Sequence, residues 1–404
     1  MATERELLHE RYQTRLSEEL ALAAYIPYTL NKDVPFLGLY KFEEAFSYPL
    51  VLRLLRKVEA TESDLVFDPF CGSGTTLFTS FVKGIPSVGI DALPVAWFVS
   101  KTLPQFLFLK EGEILNTWKA LLPTIEKCEP AFIAEDVPIM KVAFEDDVLL
   151  RLRKMKTAID GLEEFRDVFL FLFFSLLEEC SRTQKKKRYP RALKRKGKDP
   201  FDIMKKRVDS VERDIERHNY TVREENMPDV FMANILNLSI KVKHPPSILI
   251  TSPPYPDKID YTRSYALELC FHFVKDFTEF KRMRYTLLKS YIESNIKVEE
   301  PHHFAIGEVV TILEKRENRI ADMLRGYFQD MNEVIKIWYA FLSNSARVSV
   351  VLENPVYHGE PIPVDLILSD MAEETGFSID RIIVAGYKEK NGVLTRKSIL
   401  MWRK

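Results

Sequence analysis

The chain has 404 residues, 46% hydrophobic and 29% charged, a balance ordinary for a soluble globular protein of two or three domains, or of one large domain carrying insertions. Its net charge of −1 excludes a uniformly basic surface of the kind that coats nucleic acid, so affinity for a polyanion must be local. Its four cysteines, Cys71, Cys128, Cys180 and Cys270, stand far apart without metal-ligand spacing, which argues against a disulfide framework or a zinc site and for reduced thiols in the cytoplasm.

The N-terminus, Met1-Ala2-Thr3-Glu4-Arg5-Glu6, is charged and lacks the apolar core of a secretory signal. The first hundred residues read as helix, loop, helix and then a strand-turn-helix-strand unit. That unit has a strand over 65–70, a turn over Gly72 to Gly74, a helix over 75–83 closed by Gly84, and a second strand over 87–91. From residue 103 glycines become rare and apolar residues recur at helical spacing, which predicts a largely helical insertion over 103–228. Its most apolar run, 168–177, is far short of the roughly 20 residues a membrane span needs and reads as a buried helix, so no membrane association is expected. The run from Arg182 to Lys198 carries many cations and no acid.

Strand patterns return at 229–234 and 247–251. A helical stretch follows over 264–342, interrupted near Pro301, where His302-His303 beside Glu299 and Glu300 reads as a solvated loop and not as a metal site. Strand 346–352, helix 364–375, strand 379–387 and a last strand at 398–402 complete the chain. Alternating strands and helices on both sides of the insertion imply one discontinuous α/β unit, residues 1–102 and 229–404, with a parallel sheet and helices on both faces.

Two short motifs carry the chemistry. Asp68-Pro69-Phe70-Cys71-Gly72-Ser73-Gly74-Thr75-Thr76 follows an apolar strand, and a turn of small residues between strand and helix lets backbone approach a ligand closely. Asp91, at the end of the next strand, is an acid placed to accept hydrogen bonds from ribose hydroxyls. A P-loop is disfavoured, because Thr75-Thr76-Leu77 stands where a Lys-Ser/Thr pair would follow the glycines. The second motif, Thr251-Ser252-Pro253-Pro254-Tyr255, also follows an apolar strand. Transfer to an exocyclic amine requires two acceptors that turn the nitrogen lone pair toward the donor, and positioning does most of the work. Ser252 supplies a hydroxyl and Pro253 a carbonyl; Pro254 stiffens the loop; Tyr255 offers a flat face to a base.

Together these motifs resemble the S-adenosylmethionine-dependent amino-methyltransferases of DNA, most closely the cytosine-N4 group. The resemblance implies a Rossmann-like class I methyltransferase sheet and a cofactor site in which Asp68, Phe70, Cys71, Gly72, Gly74 and Thr75 surround the methionine part of S-adenosylmethionine and Asp91 holds the ribose. An upstream pair similar to the family's, Phe46-Ser47, would close over the methionine end, and Asn234 would face the adenine amine. Ser252, Pro253, Pro254 and Tyr255 would be catalytic, acting on a base flipped out of duplex DNA. The extension from Asp257 to Leu269 is similar to a branch of bacterial DNA methylases, with Asp257 where relatives often carry an amide.

Ser rather than Asp at the head of the second motif favours cytosine N4 over adenine N6. Methylation at cytosine C5 needs a cysteine on a Pro-Cys loop, and the chain has no Pro-Cys pair. The function expected is therefore site-specific DNA methylation within a restriction-modification or defence system, with a cognate endonuclease or defence subunit as partner and no metal. Adenine-N6 methylation, an RNA amino-methyltransferase and a non-catalytic DNA-binding subunit are the alternatives. Lys185, Lys186, Lys187, Arg188, Arg191, Lys194 and Arg195 are the expected phosphate contacts, in an insertion expected to read the target. The shorter cluster Lys281-Arg282-Met283-Arg284 is a weaker candidate.

Overall fold

A computed structural model describes residues 2–184, 191–192, 196–257, 259–291, 303–390 and 392–404. Eight strands form the main sheet: β1 Leu16–Glu18, β2 Val66–Asp68, β3 Ser87–Asp91, β4 Asp229–Met232, β5 Ile248–Thr251, β6 Arg347–Glu353, β7 Ser378–Lys390 and β8 Val393–Arg403. Their spatial order is β1-β7-β8-β6-β5-β2-β3-β4. All neighbours run parallel except β8, which is antiparallel to both β7 and β6. The α/β architecture with helices on both faces is the one the alternating pattern predicts, and the antiparallel β8 departs from the parallel sheet expected.

Period-two alternation explains how the sheet is buried on both sides. Val66, Ile248, Ile250, Val351, Ile383 and Ile399 face one side, packed on helix α2 (Tyr48–Lys57) through Leu50, Val51 and Leu54. Phe67, Leu249, Val348, Val350, Leu352, Ile382 and Leu400 face the other, against helices α10 (Phe304–Glu314), α11 (Asn318–Phe341) and α12 (Val364–Thr375). Asp365, at the start of α12, is fully buried and held bidentately by Arg396 of β8 at 2.7 and 3.0 Å, which locks that helix to the sheet.

Between β3 and β4 the chain is mainly helical, with α4 Pro94–Thr102, α5 Glu113–Lys127, α6 Asp146–Asp160, α7 Arg166–Cys180 and α8 Pro200–Arg217. Helix α7 is apolar on nearly every side and correspondingly buried, Phe169, Leu170, Phe171, Leu172 and Phe173 being fully enclosed. It forms the centre of a second hydrophobic core, which also takes in Phe36, Tyr40 and Phe42 from the N-terminal segment and Tyr265 to Phe271 from beyond the second motif. No described helix is long and apolar enough to cross a membrane.

Several expected boundaries shift. The strand expected at 65–70 ends at Asp68, where the turn begins, and the helical stretch expected over 264–342 is broken into short pieces before α10. Strand β1 has no counterpart in the expected elements. Of the expected phosphate contacts, Lys185, Lys186, Lys187, Arg188, Lys194 and Arg195 lie outside the described residues, and Arg191 is described in its backbone alone, paired through Gln184 in a two-stranded ladder.

Candidate active site

Strand order reverses at β2: β3 and β4 lie to one side of it, β5 and β6 to the other. At such a switch point the loops leaving adjacent strand ends diverge and open a crevice at the carboxyl edge of the sheet. The two motifs are those loops. Asp68 ends β2 and Thr251 ends β5, and the Thr251 hydroxyl donates to Asp68 Oδ1 at 2.7 Å across 183 residues of sequence.

A cavity of about 240 Å³ occupies this crevice. Phe46, Asp68, Phe70, Cys71, Gly72, Thr75, Asp91 and Asn234 line it together with Ser252, Pro253, Pro254 and Tyr255. Ser47 and Gly74 stand outside the lining. Ser47 is fully buried at the N-cap of α2, its hydroxyl accepting from Leu50 N–H at 3.2 Å, so it shapes the entry of that helix. Gly74 caps helix α3 (Thr75–Val82) at φ +82°, where a Cβ would press on Ser100 at 2.8 Å.

The turn between is held by the acids around it. Asp68 Oδ1 accepts from Phe70 N–H at 3.1 Å, and Asp91 accepts from Gly72 N–H at 2.9 Å and from Leu93 N–H at 2.8 Å. Gly72 sits at φ +51° over the Phe42 ring, a conformation and clearance that suit glycine. Burial pushes the carboxyls of Asp68 and Asp91 up to about 6 against these hydrogen bonds, and for Asp91 the neighbouring charge of Asp68 adds to the rise. Cys71 is buried, its thiol 3.4 Å from Ser100 Oγ and raised well above the usual range by burial, which suits packing and not nucleophilic attack. Thr75 Oγ1, in the first turn of α3, is buried and has no hydrogen-bond partner among the described residues.

On the second loop, Ser252 Oγ and Tyr255 Oη lie 2.8 Å apart, and Tyr255 Oη also reaches the Val351 carbonyl at 3.4 Å. Burial holds the phenol well above its usual value, so it stays neutral. When the tyrosine donates to Val351 and the serine to the tyrosine, the serine lone pairs remain open to the cavity. The Pro253 carbonyl accepts no hydrogen bond from any described residue. Asn234 is anchored on both sides, its Nδ2 donating to the Thr286 carbonyl at 2.7 Å and its Oδ1 accepting from Leu236 N–H at 2.9 Å.

Sequence reasoning missed part of the wall. Asn31, buried, donates to the Phe46 carbonyl at 3.2 Å and accepts from Tyr48 N–H at 2.7 Å, fixing the strap that carries Phe46. Tyr265 donates to Glu44 at 2.8 Å and stacks on Phe42 at 4.7 Å, joining that strap to the second core. Leu287, Leu288, Ser290 and Tyr291 close the far side. No local signal marks these residues; only the fold brings them together. Among the described residues, Glu43, Glu44, Asp68, Asp91, Asp257 and Glu353 line the cavity with one lysine, Lys397. The described residues contain no grouping that could hold a metal ion.

Over nearly its whole length the chain is similar to Type II methyltransferases. It is 27% identical over 449 residues to M.AvaI of Anabaena variabilis, covering 98% of this chain and 91% of that protein. It is 26% identical over 450 residues to M.BsoBI of Geobacillus stearothermophilus, covering 94% and 87%. No protein-family model matches the chain. Among solved structures, the rRNA methyltransferase aviRa from Streptomyces viridochromogenes spans 96% of both chains at 9% identity with a TM-score of 0.33, too loose an overlap to bear on the site.

Proposed function

We propose that this protein is an S-adenosylmethionine-dependent DNA amino-methyltransferase that acts on the N4 of a flipped cytosine in duplex DNA, within a restriction-modification or defence system. The observation that carries the reading is the junction of the two motif loops at one sheet crevice, latched by Thr251 and Asp68. Full-length similarity to Type II methyltransferases supports it.

The residues suit this cofactor. An acidic lining favours a ligand bearing a sulfonium and an ammonium. Asp91 stands at the end of β3, with its oxygens anchored by backbone and its outer face open to a ribose. The first turn of α3, with Thr75 Oγ1 lacking a partner, is a place for the carboxylate. S-adenosylmethionine, when bound, supplies an electrophilic methyl group. The protein's own share is to present the nucleophile: Ser252 Oγ and the Pro253 carbonyl accept from the two amine hydrogens and turn the nitrogen lone pair toward that methyl. Tyr255 packs its ring on the base, and the two prolines keep the acceptors in place. The helices over 103–228 are the proposed target-reading region, and a cognate endonuclease the proposed partner.

Cytosine is favoured because a serine, and not an acid, heads the second motif. Nucleoside mass spectrometry of DNA from cells expressing the chain, with Ser252→Ala as control, tests this. N4-methylcytosine that vanishes in the control is expected. N6-methyladenine instead would keep the geometry and change the base, and no new mark on DNA would overturn the proposal.

A further inference from the structure

The cavity poses an electrostatic problem for a polyanionic substrate. Its described lining carries six acidic residues, of which Glu43 is paired with Lys41 and Glu353 with Lys388 and Lys397, so a phosphodiester chain approaching the mouth meets an acidic surface unless cations stand at the rim. Many cations nearby are engaged. Arg284 and Arg263 both pair with the buried Asp260, Lys289 pairs with Asp330 at 3.1 Å, and Lys101 lies over Trp97. Lys281 and Arg282, on helix α9 (Phe277–Arg284), differ: both are exposed, and neither has a carboxylate partner among the described residues. Lys281 instead lies 4.2 Å over the Phe277 ring, which keeps its ammonium at the surface. The next residue after the helix, Tyr285, is a large aromatic with 56% of its surface exposed.

This rim is rigidly joined to the site. Arg284 ties the end of α9 to Asp260, which caps the turn carrying the lining residue Tyr261. The Arg284 carbonyl accepts from Tyr291, and the Thr286 carbonyl from Asn234, both of them lining residues. Tyr285 therefore projects outward from between two anchors at the edge of the cavity. The helix dipole accounts for cations in the last turn of α9, but not for an exposed tyrosine beside them. The acids at the start of the helix, Asp276 at the N-cap and Glu279 in the first turn, accept backbone N–H bonds.

We propose that Lys281, Arg282 and Tyr285 form the docking rim for the DNA strand that carries the target base, the two cations on flanking phosphates and the tyrosine ring stacked on a neighbouring base. This rests on the function proposed above and names the surface through which it is carried out. The test uses the full chain and a fluorescein-labelled duplex of mixed sequence, with affinity measured across a salt series. Charge removal in Lys281→Gln/Arg282→Gln should weaken binding about tenfold or more and reduce the slope of log Kd against log salt by about 2, one unit per phosphate contact. Tyr285→Ala should weaken binding roughly fivefold to a hundredfold with the slope unchanged. Cofactor affinity, measured by calorimetry, should be unaltered in both. Unchanged duplex affinity and slope in the double variant, while the wild type methylates plasmid DNA, would overturn the rim alone. A wild type that neither binds the duplex nor methylates DNA would overturn the function together with it. Losses confined to a labelled single-stranded RNA would refute DNA as the ligand of this surface.

Discussion

At the scale of single residues, two buried carboxyls set a pH dependence whose sign can be worked out. Asp68 and Asp91 hold their protons up to about pH 6, against an ordinary value near 3.8. In the free protein the folded state therefore binds more protons than the unfolded chain between those values, so these groups favour folding at low pH and that contribution is lost as pH rises through about 6. Binding of a cationic cofactor runs the other way, since it prefers both carboxyls ionised. Affinity for S-adenosylmethionine should rise from pH 5 to pH 7.5, and Asp91→Asn should weaken it and flatten the profile; calorimetric titration across pH is the check. Tyr255 predicts a different split. Its ring is proposed to hold the base and its hydroxyl touches Ser252 and not the cofactor turn. Base–aromatic stacking contributes about 1–3 kcal/mol, so Tyr255→Ala should lower methyl transfer by about fivefold to a hundredfold or more while sparing cofactor affinity. A loss of cofactor affinity of the same size would place the ring on the wrong side of the cavity.

At the scale of elements, the latch between β2 and β5 matters more than either motif alone. Thr251 donates to an acid buried at the seam of two parallel strands. Thr251→Val keeps the shape and removes the donor, leaving a buried acceptor short of a partner, which costs about 1–3 kcal/mol. Thermal unfolding should register that loss, and turnover should fall because the Ser252 loop starts at the same residue; a variant with unaltered melting and activity would show that the latch is ornamental. This level was only partly legible in sequence. Helix α12 falls at Val364–Thr375 as read, and the two motif loops follow their strands as written, because those signals are local. Strand β1 was not legible: three residues without alternation, they become a strand only by pairing with Ile382, Ile383 and Val384 far along the chain. The latch itself, the Asn31 bridge and the wall over 287–291 were hidden for the same reason, since each joins segments whose proximity is a property of the fold. Ser47, matched to a family pair, has its hydroxyl at a helix cap, a local role that the resemblance did not convey.

At the scale of the whole molecule, the cavity lies between the helical core around α7 and the hydrophobic clusters on the two faces of the sheet. Asp68, Asp91, Ser252 and Leu352 reach it from the sheet, while Phe42, Leu93, Tyr261 and Leu287 belong to or pack on the helical core around α7. Helices α3 and α4 pack this core directly on β2, β3 and β4, and the strap, through Phe42 to Phe46, and the loop following Tyr255 add contacts that also line the cavity. A ligand there touches both halves, so its binding free energy should stabilise both. At a hundred times its dissociation constant it contributes about 2.7 kcal/mol to the folded state. Scanning calorimetry should therefore show the whole transition moving upward with added S-adenosylmethionine, and Asp91→Asn should remove most of that shift. Two separate transitions of which only one responds would mean that the helical core folds independently of the site, and that the wall formed by Phe42 and Tyr261 closes on the cofactor without being coupled to it. The coupled outcome is the one favoured by the structure: Tyr265, from the helical core, both stacks on Phe42 and holds Glu44, so loosening that core would open the same strap that carries Phe46.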